Sequence, residues 1–321
     1  MKKNRLTSLL VLLMTSCGSV SAPLITPTAE VPVSSQLATS TLEIPATASP
    51  TSSPVTPSST AQTSLPVAPP PTTQATDRPF SAILARMYPG SFLLLGGVEN
   101  GEWLSPETAA SHLADGEMYQ TFGALGTAGS AKGSAPEYDR FCSGYWVKTD
   151  SYPFGGRSVA VTGDWNVMPR IAQELSTDHD TYIEVVRNWL IEQNFLEPVV
   201  KIDQILRVDV EGDGTEEVLI SASHFVESTG HNVEPGDYSL VLMRKVAGNS
   251  AVTIPVIGDY YYQPVENQFP LTYGSLFVAD LNGDGSLEIL VGIERWEGSG
   301  VAAYEVDGTN TKMITKVFCG F

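Results

Sequence analysis

Residues 209–217 read DVEGDGTEE, and residues 280–288 read DLNGDGSLE. In both segments an oxygen-bearing side chain stands at positions 1, 3, 5 and 9, a glycine at position 6, and Thr or Ser at position 7. Calcium accepts six to eight oxygen ligands at flexible angles, whereas magnesium demands near-octahedral geometry and transition metals prefer nitrogen or sulfur. Because the segments offer oxygen alone, including the backbone carbonyl at position 7, they predict two calcium-binding loops.

The residues that flank the two loops predict strands rather than helices. An EF-hand loop carries a bidentate Glu at position 12 and runs into a helix, but position 12 is Ile220 in one segment and Val291 in the other. Short runs of β-branched and apolar residues, typical of buried strands, flank both loops: 205–208, 217–222, 276–279 and 288–293. Each loop is therefore predicted to connect two strands.

Set between predicted strands, the two segments resemble the calcium loops of FG-GAP and VCBS-type repeats, which occur in integrin α-chain propellers and many bacterial surface proteins. The resemblance implies two blade-like units between residues 202 and 318, and one ligand set in each loop. The first set is Asp209, Glu211, Asp213, the Thr215 carbonyl and Glu217. The second set is Asp280, Asn282, Asp284, the Ser286 carbonyl and Glu288.

The alternative for either loop is an acidic turn without metal, since Asp-Gly is a common turn dipeptide. An empty loop would hold three or four carboxylates close together, and their repulsion favours a bound cation or raised pKa values. The first loop has four carboxylates, and the second has three and one amide. We therefore expect the two calcium affinities to differ.

The N-terminus predicts export and a lipid anchor. Residues 1–16 begin with three basic residues and continue into an apolar core, 6–14, which is too short to span a bilayer as a helix. Residues 14–17, Met-Thr-Ser-Cys, resemble a bacterial lipobox, which implies cleavage before Cys17 and its lipidation. We expect a membrane-anchored lipoprotein of the bacterial cell envelope that faces outside the cytoplasm. The alternative is an ordinary secretory signal that happens to contain a cysteine.

The remaining two cysteines, Cys142 and Cys319, are an even number in a chain predicted to be exported. We predict that they form a disulfide that ties the C-terminus to the first third of the folded region. Two buried free thiols and a reactive Cys142 are the alternatives.

Residues 17–78 predict a disordered linker between the lipid and the folded region. From residue 19 onward this segment holds 11 of the 22 prolines, many Ser and Thr, and neither glycine nor an aromatic residue. Such a composition cannot bury enough apolar surface to offset the entropy of ordering. The linker would hold the folded region away from the membrane.

The charge of residues 79–321 excludes some partners. This part holds 33 Asp and Glu against 14 Lys and Arg. Nucleic acid and other polyanions are therefore not expected partners, since phosphate binding needs clustered basic residues.

Residues 79–321 predict an α+β fold in one compact unit. The N-terminal part, 79–201, is expected to mix strands such as 92–95, 145–148 and 158–161 with two or three helices. Helical signals cover 105–114, 180–193 and 169–175. The C-terminal part, 202–321, is expected to be mostly antiparallel β with two propeller-blade-like units. A blade uses about 40 to 45 residues, so the length excludes a full propeller.

The sequence predicts no catalytic residue. It lacks the Gly-x-Ser-x-Gly, His-Glu-x-x-His and phosphate-loop motifs. His179 lies between two aspartates at a predicted helix start, where acidic residues favour capping, and His112, His224 and His231 have no specific spacing. Tyr260 to Tyr262, together with Trp296, offer aromatic surface for sugar stacking, although such residues usually pack in a core.

Two functions fit the sequence. One is a non-catalytic surface lipoprotein that uses calcium structurally and binds a glycan or protein. The alternative is a cell-envelope hydrolase of glycan or peptide, again with structural calcium. An open cleft that holds His179 or His224 beside a carboxylate would favour the hydrolase.

Overall fold

The computed structural model describes residues 79–86, 91–151, 156–226 and 232–320, all within the unit Ala68–Phe321. The signal segment 1–16, the lipidation site Cys17, the linker 17–78 and His231 lie outside the described residues. No helix in the described ranges is long and apolar enough to cross a membrane.

The first sheet is built from the N-terminal strands of the described chain. Its eight strands are β1 (Ser81–Arg86), β2 (Phe92–Glu99), β3 (Glu102–Leu104), β4 (Glu117–Gly123), β5 (Ala128–Gly133), β6 (Glu137–Asp139), β7 (Gly144–Val147) and β8 (Ser158–Val161). They lie in the antiparallel order β5-β4-β8-β1-β2-β7-β6, with β3 beside β2. β1 is buried along its whole length because both of its faces are covered: Ile83 and Ala85 lie in one hydrophobic core, and Ala82 and Leu84 lie in another on the opposite face.

The second sheet contains the first acidic loop. The next seven strands are β9 (Gln173–Leu175), β10 (Ile202–Val208), β11 (Glu217–His224), β12 (Asn232–Val233), β13 (Tyr238–Ala247), β14 (Ser250–Tyr260) and β15 (Val265–Glu266). Five of them pair in the antiparallel order β14-β13-β11-β10-β9, while β12 and β15 form a small separate ladder. The first acidic loop joins β10 to β11.

The third sheet contains the second acidic loop. Its four strands are β16 (Thr272–Ala279), β17 (Glu288–Arg295), β18 (Gly298–Asp307) and β19 (Asn310–Gly320). They pair in chain order as an antiparallel meander, and the second loop joins β16 to β17. The strand predictions on both sides of each loop are confirmed.

The third sheet, although last in the chain, lies between the other two. Because side chains alternate between the faces of a strand, Phe277 and Leu290 pack against the first sheet, whereas Val278 and Ile289 pack against the second. All four side chains are buried. Apolar residues on both faces of one sheet therefore hold three sheets together in a stack.

Two helices cover the outer faces of this stack. Helix α1 (Pro106–His112) begins after Ser105, whose side chain accepts a 3.2 Å hydrogen bond from the Thr108 amide, and packs through Ala109 on the first sheet. Helix α2 (Asp180–Glu192) packs through Val186 and Leu190 on the second sheet. Both helix predictions are confirmed, and the layers run helix, sheet, sheet, sheet, helix.

The described fold is mostly antiparallel β and is not a closed propeller, as expected from the length. One sequence prediction needs correction. The expected helix over 169–175 is wrong, because Gln173–Leu175 forms edge strand β9, which pairs with β10. The expected mixture of strands and helices in 79–201 is present with two helices, but nine strands make the described residues of that part mostly β.

Cys142 and Cys319 lie at disulfide-bonding distance across a sequence separation of 177 residues. Cys142 precedes β7 of the first sheet, and Cys319 lies near the end of β19 in the third. The Gly320 amide also donates a 3.3 Å hydrogen bond to the Phe141 carbonyl. The C-terminal strand is thus held to the first sheet covalently and by backbone contact.

Candidate metal centre

The two acidic loops have the same backbone conformation. The glycines at positions 4 and 6 all have positive φ angles: Gly212 (75°), Gly214 (86°), Gly283 (73°) and Gly285 (95°). Residues with a Cβ rarely adopt positive φ angles. Glycine at both positions therefore lets the backbone of each loop fold back over the carboxylate at position 1. Position 4 was not singled out by the sequence analysis, although it is glycine in both segments.

The aspartate at position 1 organises each loop by accepting backbone amides. Asp209 accepts hydrogen bonds from the amides at positions 4 and 6, at 2.7 and 3.0 Å. Asp280 accepts the same two bonds, at 2.6 and 3.1 Å. At position 5, Asp213 and Asp284 each accept a 2.7 Å bond from the amide at position 7. Corresponding acids therefore have corresponding roles in the two loops.

The glutamate at position 9 is buried at the base of each loop. Glu217 is 0% exposed and Glu288 is 2% exposed, and each accepts a hydrogen bond from the amide at position 2, at 2.9 and 2.6 Å. Burial, with smaller contributions from the charges of Asp284, Asp280 and Glu305, raises the pKa of Glu288 to about 9, although the hydrogen bond from the Leu281 amide lowers it. Burial likewise raises the pKa of Glu217. These carboxyl groups lie where a compensating positive charge would be favourable.

The two carboxylate oxygens of Glu217 differ in their hydrogen bonding. Its Oε1 atom is buried and has no hydrogen-bond partner among the described residues, whereas Oε2 bonds the Val210 amide. A buried acceptor without a partner is costly and rare in native proteins. A cation bound at the loop would satisfy this oxygen, so the residues present fit a hard metal ion.

The two loops differ at position 3. In the first loop, Glu211 Oε2 forms an ion pair with Lys245 Nζ of β13, and both side chains are largely buried. In the second loop, Asn282 Oδ1 accepts a 2.9 Å bond from the Asp284 amide, and Asn282 Nδ2 donates a 3.0 Å bond to Asp284 Oδ2. Lys245 therefore neutralises the fourth carboxylate that distinguishes the first loop from the second.

The acids at positions 1, 5 and 9 of both loops accept hydrogen bonds from backbone amides. No group of three or more His, Cys, Asp or Glu side chains in the described part of the chain is arranged to hold a metal ion. Calcium binding by the loops thus stays a prediction, in which the Asn282 side chain and the carbonyls of Thr215 and Ser286 supply oxygens beyond those of the acids.

The loops lie side by side, which the sequence analysis did not foresee. The Leu287 amide at position 8 of the second loop donates a 2.8 Å hydrogen bond to the Val210 carbonyl at position 2 of the first. Arg170 spans both loops: its Nε bonds the Asp209 carbonyl at 2.5 Å, and its Nη2 bonds the carbonyls of Val210 and Gly285 at 3.1 and 2.6 Å.

The segment before Arg170 also holds the second loop. Trp165 Nε1 donates a 2.8 Å hydrogen bond to the Asp280 carbonyl, and the Asp280 amide donates a 2.9 Å bond to the Val167 carbonyl. Residues 165–170 therefore connect the first sheet to both acidic loops. Nothing in their local sequence signalled this role, because their partners lie about 40 and 115 residues further along the chain.

An open groove of about 450 Å³ lies beside the end of α2. Tyr261 and Tyr262 line it together with His224, Glu197 and Leu196. Tyr262 and Leu196 are 54% and 96% exposed, so apolar surface faces solvent here. The groove is the place where the structure brings one predicted histidine candidate, an acid and two of the three predicted tyrosines together.

The other aromatic and histidine candidates lie elsewhere. Tyr260 packs on the core and accepts a 2.7 Å hydrogen bond from Trp189 Nε1. Trp296 is 59% exposed but is not among the residues that line the groove. His112 stacks on Phe80, with ring centroids 4.7 Å apart. The predicted helix-start position of His179 is confirmed, since it is the N-cap residue of α2.

Comparison of the chain with protein-family models, curated proteins and solved structures gives no match. The likeness to FG-GAP and VCBS-type repeats therefore depends on the two nine-residue loops and the antiparallel sheets that carry them.

Proposed function

We propose that this protein is a non-catalytic binding or adhesion module of the bacterial cell surface, held to the membrane through a lipid on Cys17 and stabilised by calcium. The observation that carries the proposal is the pair of loops in which the acids at positions 1, 5 and 9 accept corresponding backbone hydrogen bonds, and in which the glutamate at position 9 is buried. The basic and apolar N-terminal segment supports export to the compartment where calcium is available.

The metal would act as a structural crosslink. In the second loop the side chains at positions 1, 3, 5 and 9 and the carbonyl at position 7 would hold it. In the first loop the side chains at positions 1, 5 and 9 and the carbonyl at position 7 would do so, because Glu211 is paired to Lys245. Calcium would supply positive charge to carboxylates that are costly to leave buried and unneutralised. It would thereby hold β10 to β11 and β16 to β17 at the ends where the two loops meet.

Weak affinity is sufficient for this role. Extracellular calcium modules have dissociation constants of about 10⁻⁴ to 10⁻³ M. At a calcium concentration about ten times the dissociation constant, each loop would be roughly 90% occupied. The sites would then act as structural crosslinks and would respond little to small changes in calcium concentration.

The groove beside α2 supports a binding role. It has the size range of ligand pockets and combines exposed apolar side chains with a few polar groups. The expected partner is a glycan or a protein, because the acidic surface disfavours nucleic acid.

Two variants remove two negative charges from the predicted ligands of each loop with little change in shape. The first-loop variant is Asp213→Asn/Glu217→Gln, and the second-loop variant is Asp284→Asn/Glu288→Gln. Each new amide oxygen keeps the acceptor for the loop's own backbone amide. Wild type and both variants are incubated with purified cell-wall glycans and envelope proteins, with calcium or chelator.

Retention by the wild-type chain that is weakened by the chelator and by the variants is the expected result. Retention without turnover supports the binding module. No retention of any fraction by the calcium-loaded wild type would contradict it.

The second candidate function, a cell-envelope hydrolase, has one observation in its favour. His224 and Glu197 line the same open groove, and both belong to the residue types that serve as general acids and bases. Product release from cell-wall glycan or peptide by wild type, abolished in His224→Ala, would establish the hydrolase. Glu107→Gln, on the exposed surface of α1, is the matched control.

A further inference from the structure

We infer that Arg170 couples the two acidic loops, so that cation binding in one loop raises the affinity of the other. This inference rests on the proposed calcium binding, and it adds that the two sites act as one cooperative unit.

The contacts of Arg170 are distributed over both loops. Three hydrogen bonds of 2.5 to 3.1 Å join its guanidinium to two carbonyls of the first loop and one of the second. A Cβ placed on Gly212 would lie only 2.9 Å from Arg170 Nη1, so the guanidinium also packs closely on the first loop. The direct Leu287 to Val210 hydrogen bond gives the loops a second connection.

Arg170 uses carbonyls that the predicted metal ligands do not include. It bonds the carbonyls at positions 1 and 2 of the first loop and at position 6 of the second. The predicted carbonyl ligand is at position 7 in each loop. The arginine can therefore keep its contacts while both loops hold a cation.

The direction of the coupling follows from shared ordering. A cation fixes the backbone of its own loop, and through Arg170 it also fixes carbonyls of the neighbouring loop, which then loses less conformational freedom when it binds. Repulsion between two cations opposes this effect. With Glu211 paired to Lys245, each loop still has three acids at its ligand positions. Their three negative charges outweigh the two positive charges of one calcium ion, which weakens the repulsion between the two bound ions.

The test is a calcium titration by calorimetry of the mature full-length chain after chelator treatment. The second-loop variant gives the association constant of the first loop alone, and the first-loop variant gives that of the second. In wild type, the product of the two macroscopic constants is expected to exceed the product of these single-loop constants by about 5-fold or more. When all three chains also carry Arg170→Gln, this excess is expected to fall well below the wild-type value, since only the Leu287 to Val210 hydrogen bond still joins the loops.

Arg157 provides the matched control. It is also half-buried, and its Nη1 donates a 2.6 Å hydrogen bond to the Leu276 carbonyl, but that carbonyl lies outside both loops. In Arg157→Gln, the product of the two macroscopic constants is expected to exceed the product of the single-loop constants by as much as in wild type. Arg170→Lys retains the charge but not the fork of donors, and it replaces Arg170→Gln if near-ultraviolet circular dichroism shows that the glutamine variant does not fold.

The outcomes separate the two levels of the proposal. Two calcium ions bound independently in wild type would overturn the coupling and leave the metal sites intact. If the product of the macroscopic constants exceeds the product of the single-loop constants as much in both Arg170 variants as in wild type, the role of the arginine would be overturned. Absence of calcium binding in wild type would overturn the proposed sites themselves.

Discussion

At the scale of the residue, the central observation is a buried acid that lacks a full set of partners. Glu217 satisfies one oxygen with a backbone amide and leaves the other without a partner in the described structure. Its equivalent, Glu288, is almost as deeply buried. The backbone amide at position 2 needs only one of the two oxygens, so the second oxygen of Glu217 is the observation that supports the proposed cation.

Glu217→Gln is expected to separate the stability of the calcium-free protein from its response to calcium. Removing a buried charge should raise the free energy of unfolding in chelator by about 1 kcal/mol, while calcium should stabilise the variant much less than it stabilises wild type. Thermal unfolding with calcium and with chelator measures both effects. Equal stabilisation of both proteins by calcium would contradict a ligand role for Glu217.

Lys245 is the residue whose role the sequence did not reveal, since it lies 34 residues from Glu211. Lys245→Met should lower the free energy of unfolding in chelator by about 3 kcal/mol, because it leaves a largely buried carboxylate without its ion pair. It should also strengthen calcium binding in the first loop by freeing Glu211. Urea unfolding and calorimetry are the measurements.

The control for Lys245 is Lys148, whose ion pair with Glu137 is exposed, with side-chain exposures of 61% and 60%. Lys148→Met should change the free energy of unfolding by less than about 1 kcal/mol. Equal losses in the two variants would show that burial of the Glu211–Lys245 pair has no energetic consequence.

At the scale of the element, local pattern identified the helices and the strands around the loops. Ser105 and the apolar face of α2 carry their signals within a few residues. The helix prediction for 169–175 was wrong because β9 is a strand that pairs with β10. This tertiary contact overrides a weak local preference for helix. β5 was missed for a similar reason: its Ala- and Gly-rich sequence gains its strand conformation from pairing with β4.

The packing of α2 makes a prediction from two adjacent residues. Leu190 is 0% exposed, while Ile191 is 49% exposed. Leu190→Ala should lower the free energy of unfolding by about 2 to 5 kcal/mol through loss of apolar contact and cavity formation. Ile191→Ala should cost less than about 1 kcal/mol. Comparable losses in urea unfolding would mean that α2 does not pack on the second sheet by this face.

At the scale of the whole molecule, the chain order differs from the spatial order. The third sheet, which comes last in the chain, lies in the middle of the stack. The connection between its first two strands is the second acidic loop, which lies beside the first. The motifs were recognisable from sequence because each is local. Their adjacency, the bridge through Arg170 and the pairing of Lys245 were not, because each joins residues that are distant in the chain.

The disulfide is expected to stabilise this arrangement as a whole. Cys142→Ser/Cys319→Ser should lower the free energy of unfolding by up to about 4 to 5 kcal/mol, since the bond closes a loop of 177 residues. For a domain of this size the loss corresponds to roughly 10 to 15 °C in Tm. Scanning calorimetry with calcium present tests this, and an unchanged Tm would mean that the C-terminal strand is held without the bond.

The most direct test of the account is the stoichiometry of calcium binding. Calorimetric titration of the chelator-treated mature chain should show two calcium ions per chain, with dissociation constants at or below about 10⁻³ M. A chain that combines the first-loop and second-loop variants should bind none at these concentrations, and magnesium should not replace calcium in wild type. No saturable binding by wild type at millimolar calcium, or equal binding by the combined variant, would contradict the assignment of the two loops as calcium sites.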